Sequence, residues 1–242
     1  MIAIKTENLT KKYKDVTAVD NLNLEIENGE LFSLLGVNGA GKSTTVKMLS
    51  CLLRPTSGDA FLLEKSIKSE KGEIKPFIGV SPQETAVAPN LSVRENLEFI
   101  CGCYSYSKEK TLKKTEELIN EFSLSDVEHK KAGKLSGGYQ RRLSIAMALV
   151  GEPKILFLDE PTLGLDVISR SELWDKIREL KGRVTVILTT HYMEEAESLS
   201  DRIGIMKDGV LIALGTANEL KETAGALKFE DAFVKIVRGS AL

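Results

Sequence analysis

With 242 residues, 42% of them hydrophobic, the chain can bury a substantial core and suits one large domain or one domain with a sizeable insertion. Its 33 Lys and Arg against 35 Asp and Glu leave a net charge of -2, without the field that would draw nucleic acid or an anionic lipid surface, so no nucleic-acid partner is expected. No apolar run approaches the roughly 18 residues that span a bilayer, and Met1-Ile2-Ala3-Ile4-Lys5 lacks the layout of a signal peptide, so a soluble, cytosolic chain is expected.

The first thirty residues alternate in polarity, with Ile2 and Ile4 and later Leu22, Leu24 and Ile26 on one face, and Asn28-Gly29 gives a turn signal. They predict an antiparallel β-layer. Leu31-Phe32-Ser33-Leu34-Leu35 then reads as a buried strand, and it runs into Gly36-Val37-Asn38-Gly39-Ala40-Gly41-Lys42-Ser43, the pattern G-x-x-x-x-G-K-S, followed by Thr44. Such a loop turns where a Cβ would clash and converges its N–H groups on phosphate oxygens. Lys42 would add a point charge at the β/γ-phosphates, and the Ser43 hydroxyl would sit on Mg²⁺. From Lys42 onward, Val46, Leu49, Leu52 and Leu53 recur at helical spacing and predict a helix that Pro55 stops. Phosphates would then lie at a helix N-terminus, where free amides and the dipole favour an anion.

Short apolar runs ending at Leu35, Val80, Leu158 and Leu188 fit buried strands of a mostly parallel sheet. Ligands of open α/β sheets gather at the carboxyl ends of strands, a rule that selects Gln83, Asp159, Glu160 and His191. Between Gln83 and about Val150 the pattern is helical, with Val93, Leu97 and Ile100 on one stretch and Leu112 through Phe122 on another, as expected of a helical insertion. Arg202 to Leu214 reads as two strands around Asp208-Gly209, and a final amphipathic segment follows from Asn218. Cys51, Cys101 and Cys103 are an odd count without a second pair or a histidine cluster, which supports neither a disulfide framework nor a zinc site, and no role is assigned to Cys101 and Cys103. Gly239 to Leu242 carry no reading.

Asp159 and Glu160 end the apolar run Ile155-Leu156-Phe157-Leu158, a costly location for charge unless a cation or a reaction uses it. Asp159 is placed to hold Mg²⁺, and Glu160 to orient or deprotonate an attacking water. Taken alone, the pair could equally cap the next helix. Leu135-Ser136-Gly137-Gly138 opens a second amide-rich helix start, with Ser136 as its expected cap.

Taken together, these motifs resemble the ATP-binding subunit of an ABC transporter, a P-loop NTPase. The resemblance covers nearly the whole chain and rests on the loop at Gly36 to Thr44, on Leu135-Ser136-Gly137-Gly138, on Asp159-Glu160, on Gly164-Leu165-Asp166 and on Thr190-His191, in family order. It implies an α/β cassette with a mostly parallel core and an antiparallel β-layer at approximately 1–83 and 151–242, and a helical subdomain carrying the signature motif at approximately 84–150. Tyr13 matches the aromatic that stacks on adenine, although an exposed strand-end tyrosine is the plain alternative. Gln83 resembles the glutamine that contacts Mg²⁺ and water and links the site to the membrane partner, and His191 the histidine at the γ-phosphate.

The resemblance further implies a homodimer or heterodimer of cassettes around two ATP-Mg²⁺, with Ser136, Gly137 and Gly138 of one chain closing over ATP held by the other and Asp166 along the interface. An integral membrane permease is the implied partner, at the cytoplasmic face of the membrane. Tyr139 stands where many relatives have Gln, so no nucleotide contact is carried over to Gln140, and Val37 stands where Pro is common. Residues 227–234 resemble the ending of ABC-2 drug exporters. The competing class is a soluble ABC ATPase of DNA repair, translation or cofactor assembly, whose long coiled-coil insertions or paired cassettes do not fit in this chain. A nucleotide sensor is expected to lack Glu160 or His191, and no Asn-Lys-x-Asp motif of a GTPase occurs.

Overall fold

A computed structural model describes residues 1–239; Ser240 to Leu242, and with them most of the unread tail, lie outside the described residues. The chain begins with β1 (Ile2–Tyr13), β2 (Val16–Glu27), β3 (Leu31–Leu35), α1 (Lys42–Leu49), β4 (Ser57–Leu62), β5 (Lys65–Ser66) and a short α2 (Lys71–Ile74). It continues through β6 (Ile78–Ser81), α3 (Val93–Cys103), α4 (Lys108–Glu121), α5 (Gly137–Leu149), β7 (Ile155–Asp159), α6 (Val167–Arg178) and β8 (Thr185–Thr190). The last elements are α7 (Met193–Leu199), β9 (Arg202–Lys207), β10 (Val210–Gly215), α8 (Ala217–Thr223) and α9 (Phe229–Arg238).

The N-terminal strands form an antiparallel sheet of order β2-β1-β4-β5, as the alternating pattern predicts. One detail differs. Register shifts between Ile2 and Ile4 break the alternation, so Ala3 and Ile4 are both buried and Ile2 is left on the surface. A second sheet has the order β10-β9-β3-β8-β7-β6, parallel from β9 to β6 with β10 antiparallel at its edge. The runs read as buried strands are its centre: every residue of β3, β7 and β8 is buried. Covered on both faces, such strands need no alternation, and that is why they read as unbroken apolar runs.

Two large cores flank this sheet. Ile4, Leu9, Leu22 and Leu62 of the antiparallel layer meet Phe32, Leu34, Phe157 and Ile187, with Val46 and Met48 of α1 in the same cluster. On the opposite face Leu156, Leu158, Val186 and Leu188 pack with Leu97 of α3, Leu118 of α4 and Leu143 and Ile145 of α5, so the helical stretch shares its core with the sheet. A third cluster joins β9 to Phe229, Phe233 and Ile236 of α9. Among the described residues, no helix is long and apolar enough to cross a membrane.

Two predicted helices end early. The first stops at Leu49 and not at Pro55, because Cys51 adopts φ 60° and turns the chain toward β4, leaving Leu52 on the surface. The C-terminal amphipathic segment is split into α8 and α9 around Gly225, whose φ is 55°. Glycine adopts that left-handed conformation without the strain a side chain adds, which lets two short apolar faces dock at different angles.

Candidate active site

The loop between β3 and α1 wraps one end of the parallel sheet. Gly41 at its end has φ 103°, and a Cβ there would lie 2.4 Å from the Ala18 carbonyl oxygen, so only glycine lets the β1–β2 hairpin close on the loop. The Lys42 ammonium is buried and donates to the carbonyls of Gly36 (2.8 Å) and Val37 (3.2 Å), with the Glu160 carboxylate at 3.6 Å. Burial lowers the Lys42 pKa, and Glu160 opposes that shift.

At the neighbouring strand ends, the Ser43 hydroxyl donates to Asp159 Oδ1 at 3.0 Å and the Thr189 hydroxyl donates to the same oxygen at 2.5 Å. Glu160 follows with φ 47°, a left-handed conformation that costs a side-chain-bearing residue about 1–3 kcal/mol. The strain is held by its amide, which donates to the Thr189 hydroxyl at 3.0 Å and the Thr189 carbonyl at 3.1 Å. His191 Nδ1 lies 3.1 Å from Glu160 Oε2; the carboxylate accepts, so Nδ1 carries the hydrogen of this contact.

Asn38, Gly39, Ala40, Gly41, Lys42, Ser43 and Thr44 of the loop, together with Ala18, Gln83, Glu160, Leu163 and His191, line one cavity of about 540 Å³. The predicted strand-end residues Gln83, Glu160 and His191 therefore share a wall, with Asp159 behind it. Gly36 and Val37 stand at the loop entrance as acceptors for Lys42. Tyr13 is absent from this lining: it sits exposed at the end of β1, with the Lys11 ammonium 5.2 Å from its ring centroid, and Ala18 is the hairpin's contribution to the wall.

Ser43 hydroxyl, Asp159 carboxylate and Gln83 amide offer hard oxygen donors of the kind Mg²⁺ takes, and two of the three are already in contact. No group of three or more His, Cys, Asp or Glu that could hold a metal occurs among the described residues.

The second glycine-rich helix start lies outside the cavity. Ser136 and Gly137 are exposed; Ser136 stands at the expected cap position of α5, with its carbonyl accepting from the Gln140 amide at 3.0 Å, but its side chain makes no capping hydrogen bond. Gly138 is packed on α6, where a Cβ would lie 3.0 Å from Ser169 Oγ. Asp166 is the cap of α6: its carboxylate accepts from the amides of Ile168 and Ser169 at 3.0 Å each and from the Ser169 hydroxyl at 2.7 Å, and these bonds hold its pKa low. Around it Val167 and Ile168 are 78% and 72% exposed, an apolar surface beside the signature turn.

Sequence reasoning missed Thr189, Glu195 and Arg141. Thr189 is one polar residue among strand-end threonines and gave no separate signal. Glu195 on α7 is wholly buried, accepts from the Thr162 hydroxyl (2.8 Å) and the Trp174 indole (3.1 Å), and has its pKa raised by burial. Arg141 stands four residues before Ile145 and eight before Leu149, a cation on the apolar stripe of α5, and that position was the available signal.

The family model for "ABC transporter" matches residues 19–163 of this chain. The chain is 42% identical over 225 residues to the daunorubicin/doxorubicin resistance ATP-binding protein DrrA of Streptomyces peucetius, covering 93% of this chain and 68% of DrrA. It is 40% identical over 241 residues to the probable multidrug ABC transporter ATP-binding protein YbhF of Escherichia coli K12, covering 97% of this chain and 41% of YbhF. Among solved structures, a dimeric ATP-binding cassette in a post-hydrolysis state bound to ADP and Pi superposes with a TM-score of 0.79 at 30% identity, over 88% of this chain and 98% of that one.

Proposed function

Since the chain belongs to the ABC transporter family and is an ATP-binding, ATP-hydrolysing subunit, we propose that it works as one of two cassettes sharing two ATP-Mg²⁺ and driving a separate membrane permease in the export of drug-like compounds. One observation carries the shared site. Gln83, Glu160, His191 and the phosphate loop line a single cavity, whereas Ser136, Gly137 and Gly138, the other amide-rich helix start, line no part of it, and Ser136 and Gly137 face outward. A signature turn of a second copy would close the cavity, with Asp166 and the exposed Val167 and Ile168 beside the seam.

In this reading the amides of residues 38–44 wrap the phosphates, and Lys42 exchanges its loop carbonyls for phosphate oxygens. Ser43 and Asp159, with Gln83, would hold Mg²⁺, and the ion when bound would supply neutralisation of phosphate charge. Glu160 orients the attacking water and takes its proton, while His191 fixes the Glu160 carboxylate through Nδ1–H and, with a hydrogen on Nε2 as well, would donate to a γ-phosphate oxygen. Tyr13 would meet the adenine only if the base extends past Ala18 to the end of β1. The helical stretch 84–150, attached to the site through Gln83, is the part that transmits closure to the permease. Export and drug-like cargo rest on the names of DrrA and YbhF and on residues 227–234, and attachment to the cytoplasmic face of the membrane follows from the permease.

Light scattering on Glu160→Gln tests the shared site. The mass should double on adding ATP-Mg²⁺ and revert without nucleotide; an unchanged monomer under both conditions would sink the reading.

A further inference from the structure

Arg141 is 3% exposed, and no carboxylate lies within ion-pairing distance of it among the described residues. A buried guanidinium is expensive unless its donors are satisfied. This one spends them on backbone: it donates to the carbonyls of Pro82 (2.6 Å) and Gln83 (2.6 Å) at the end of β6, and to the carbonyl of Glu160 (3.2 Å) at the end of β7. The side chain that makes these bonds springs from α5, whose N-terminal residues are Gly137 and Gly138. One rigid helix therefore carries the signature turn at its tip and, one turn later, the clamp on the backbone of Gln83 and Glu160.

We propose that Arg141 is a positioning residue that couples the signature turn to this chain's own hydrolytic site, so that engagement of Ser136 and Gly138 on the nucleotide of the second copy sets Gln83 and Glu160 in the first. The inference rests on the shared-site reading above and adds to it a route by which the two sites sense each other. The planar fork matters, because three carbonyls on two separate strand ends are reached by a guanidinium and not by a single ammonium. Glu160 is where the clamp meets a strained backbone: its φ is 47°, its amide is tied to Thr189, and its carbonyl accepts from both Arg141 and the Leu163 amide (3.2 Å). A shift of α5 would be felt at Gln83 and Glu160 together, giving the two sites a common two-state element.

The variants Arg141→Lys and Arg141→Met test the clamp, with Trp174, the only tryptophan, reporting the fold through its indole bond to Glu195. Both should keep the affinity of the unassociated chain for ATP-Mg²⁺ within about threefold. Both should lower kcat at least about tenfold with KM little changed, and both should reduce the Hill coefficient of hydrolysis toward one. Unchanged kcat and Hill coefficient in folded Arg141→Lys and Arg141→Met would overturn the proposal. So would loss of the folded state in both, since that assigns Arg141 to the core and not to the strand-end loops. A wild-type chain that binds ATP but neither hydrolyses it nor associates would instead overturn the shared-site reading, so the two failures are distinguishable.

Discussion

Two helix starts in this chain offer free amides behind a glycine-rich turn, and they meet different surroundings. At the start of α1, Lys42 and Ser43 face the ends of three neighbouring strands, and the loop is already hydrogen-bonded to Asp159 and close to Glu160. At the start of α5, Ser136 and Gly137 face outward, the serine hydroxyl makes no capping bond, and Gly138 packs against Ser169 of α6. The same local chemistry thus yields a nearly complete site where a sheet supplies the opposite wall, and an unfinished one where nothing in the same chain does. A motif names the ligand chemistry, while topology decides whether one chain is sufficient.

The widest separation between the two starts should come from hydrolysis. Glu160→Gln is expected to retain ATP and lower kcat by about 10²–10⁴, the range for a general base, in a steady-state phosphate-release assay. Full activity in that variant would remove Glu160 from the base position. Next in size, Lys42→Ala should weaken ATP-Mg²⁺ binding to the isolated chain about ten- to a hundredfold, from loss of charge-assisted bonds of about 1.5–3 kcal/mol. Ser136→Arg should leave that affinity alone by calorimetric titration, because Ser136 is not in the cavity. Equal losses in the two variants would erase the contrast.

Glu195 sharpens the picture from below, since it ties Thr162, two residues past Glu160, to Trp174 on α6. Burial raises its folded pKa above the ordinary value of 4.5, with Thr190, Thr162, Trp174 and Arg170 opposing. Its contribution is therefore fully present below about pH 4.5 and is lost as pH rises through the folded value. Glu195→Gln should gain stability on the wild type as pH rises above about 4.5, by at most about 1.4 kcal/mol per pH unit, and the gain should level off above the folded value. Melting temperatures measured in parallel across that range check the sign, and a constant difference would refute it. Smallest of all is the capping contrast: Asp166→Ala should lower the midpoint of urea denaturation, as for a lost helix cap, whereas Ser136→Ala should leave it nearly unchanged.

Much of this was legible in the residues. Buried parallel strands announce themselves as uninterrupted apolar runs, and the residues just after those runs, Gln83, Glu160 and His191, do share one cavity wall. The antiparallel layer, the helical stretch and the Asp208-Gly209 hairpin followed from periodicity and turn chemistry. What escaped was set by tertiary packing. Cys51 ends α1 because β4 must return beside β1, and a lone cysteine carries no mark of that. Ile2 left its predicted face through a register shift. Ser136 takes the cap position its residue type predicts, although its hydroxyl makes no capping bond, and Thr189 braces the Asp159–Glu160 strand end through three hydrogen bonds that exist only once β7 and β8 are paired.

The contrast between the two helix starts is tested most directly by mixing two impaired chains. Lys42→Ala removes the phosphate grip and keeps an intact signature turn; Ser136→Arg blocks the turn and keeps the grip. Each variant alone should be nearly inactive. In a mixed pair, one shared site unites the intact loop of the second variant with the intact turn of the first, so ATP hydrolysis should rise well above the sum of the separate chains. A mixture no more active than that sum would contradict a site built from two chains.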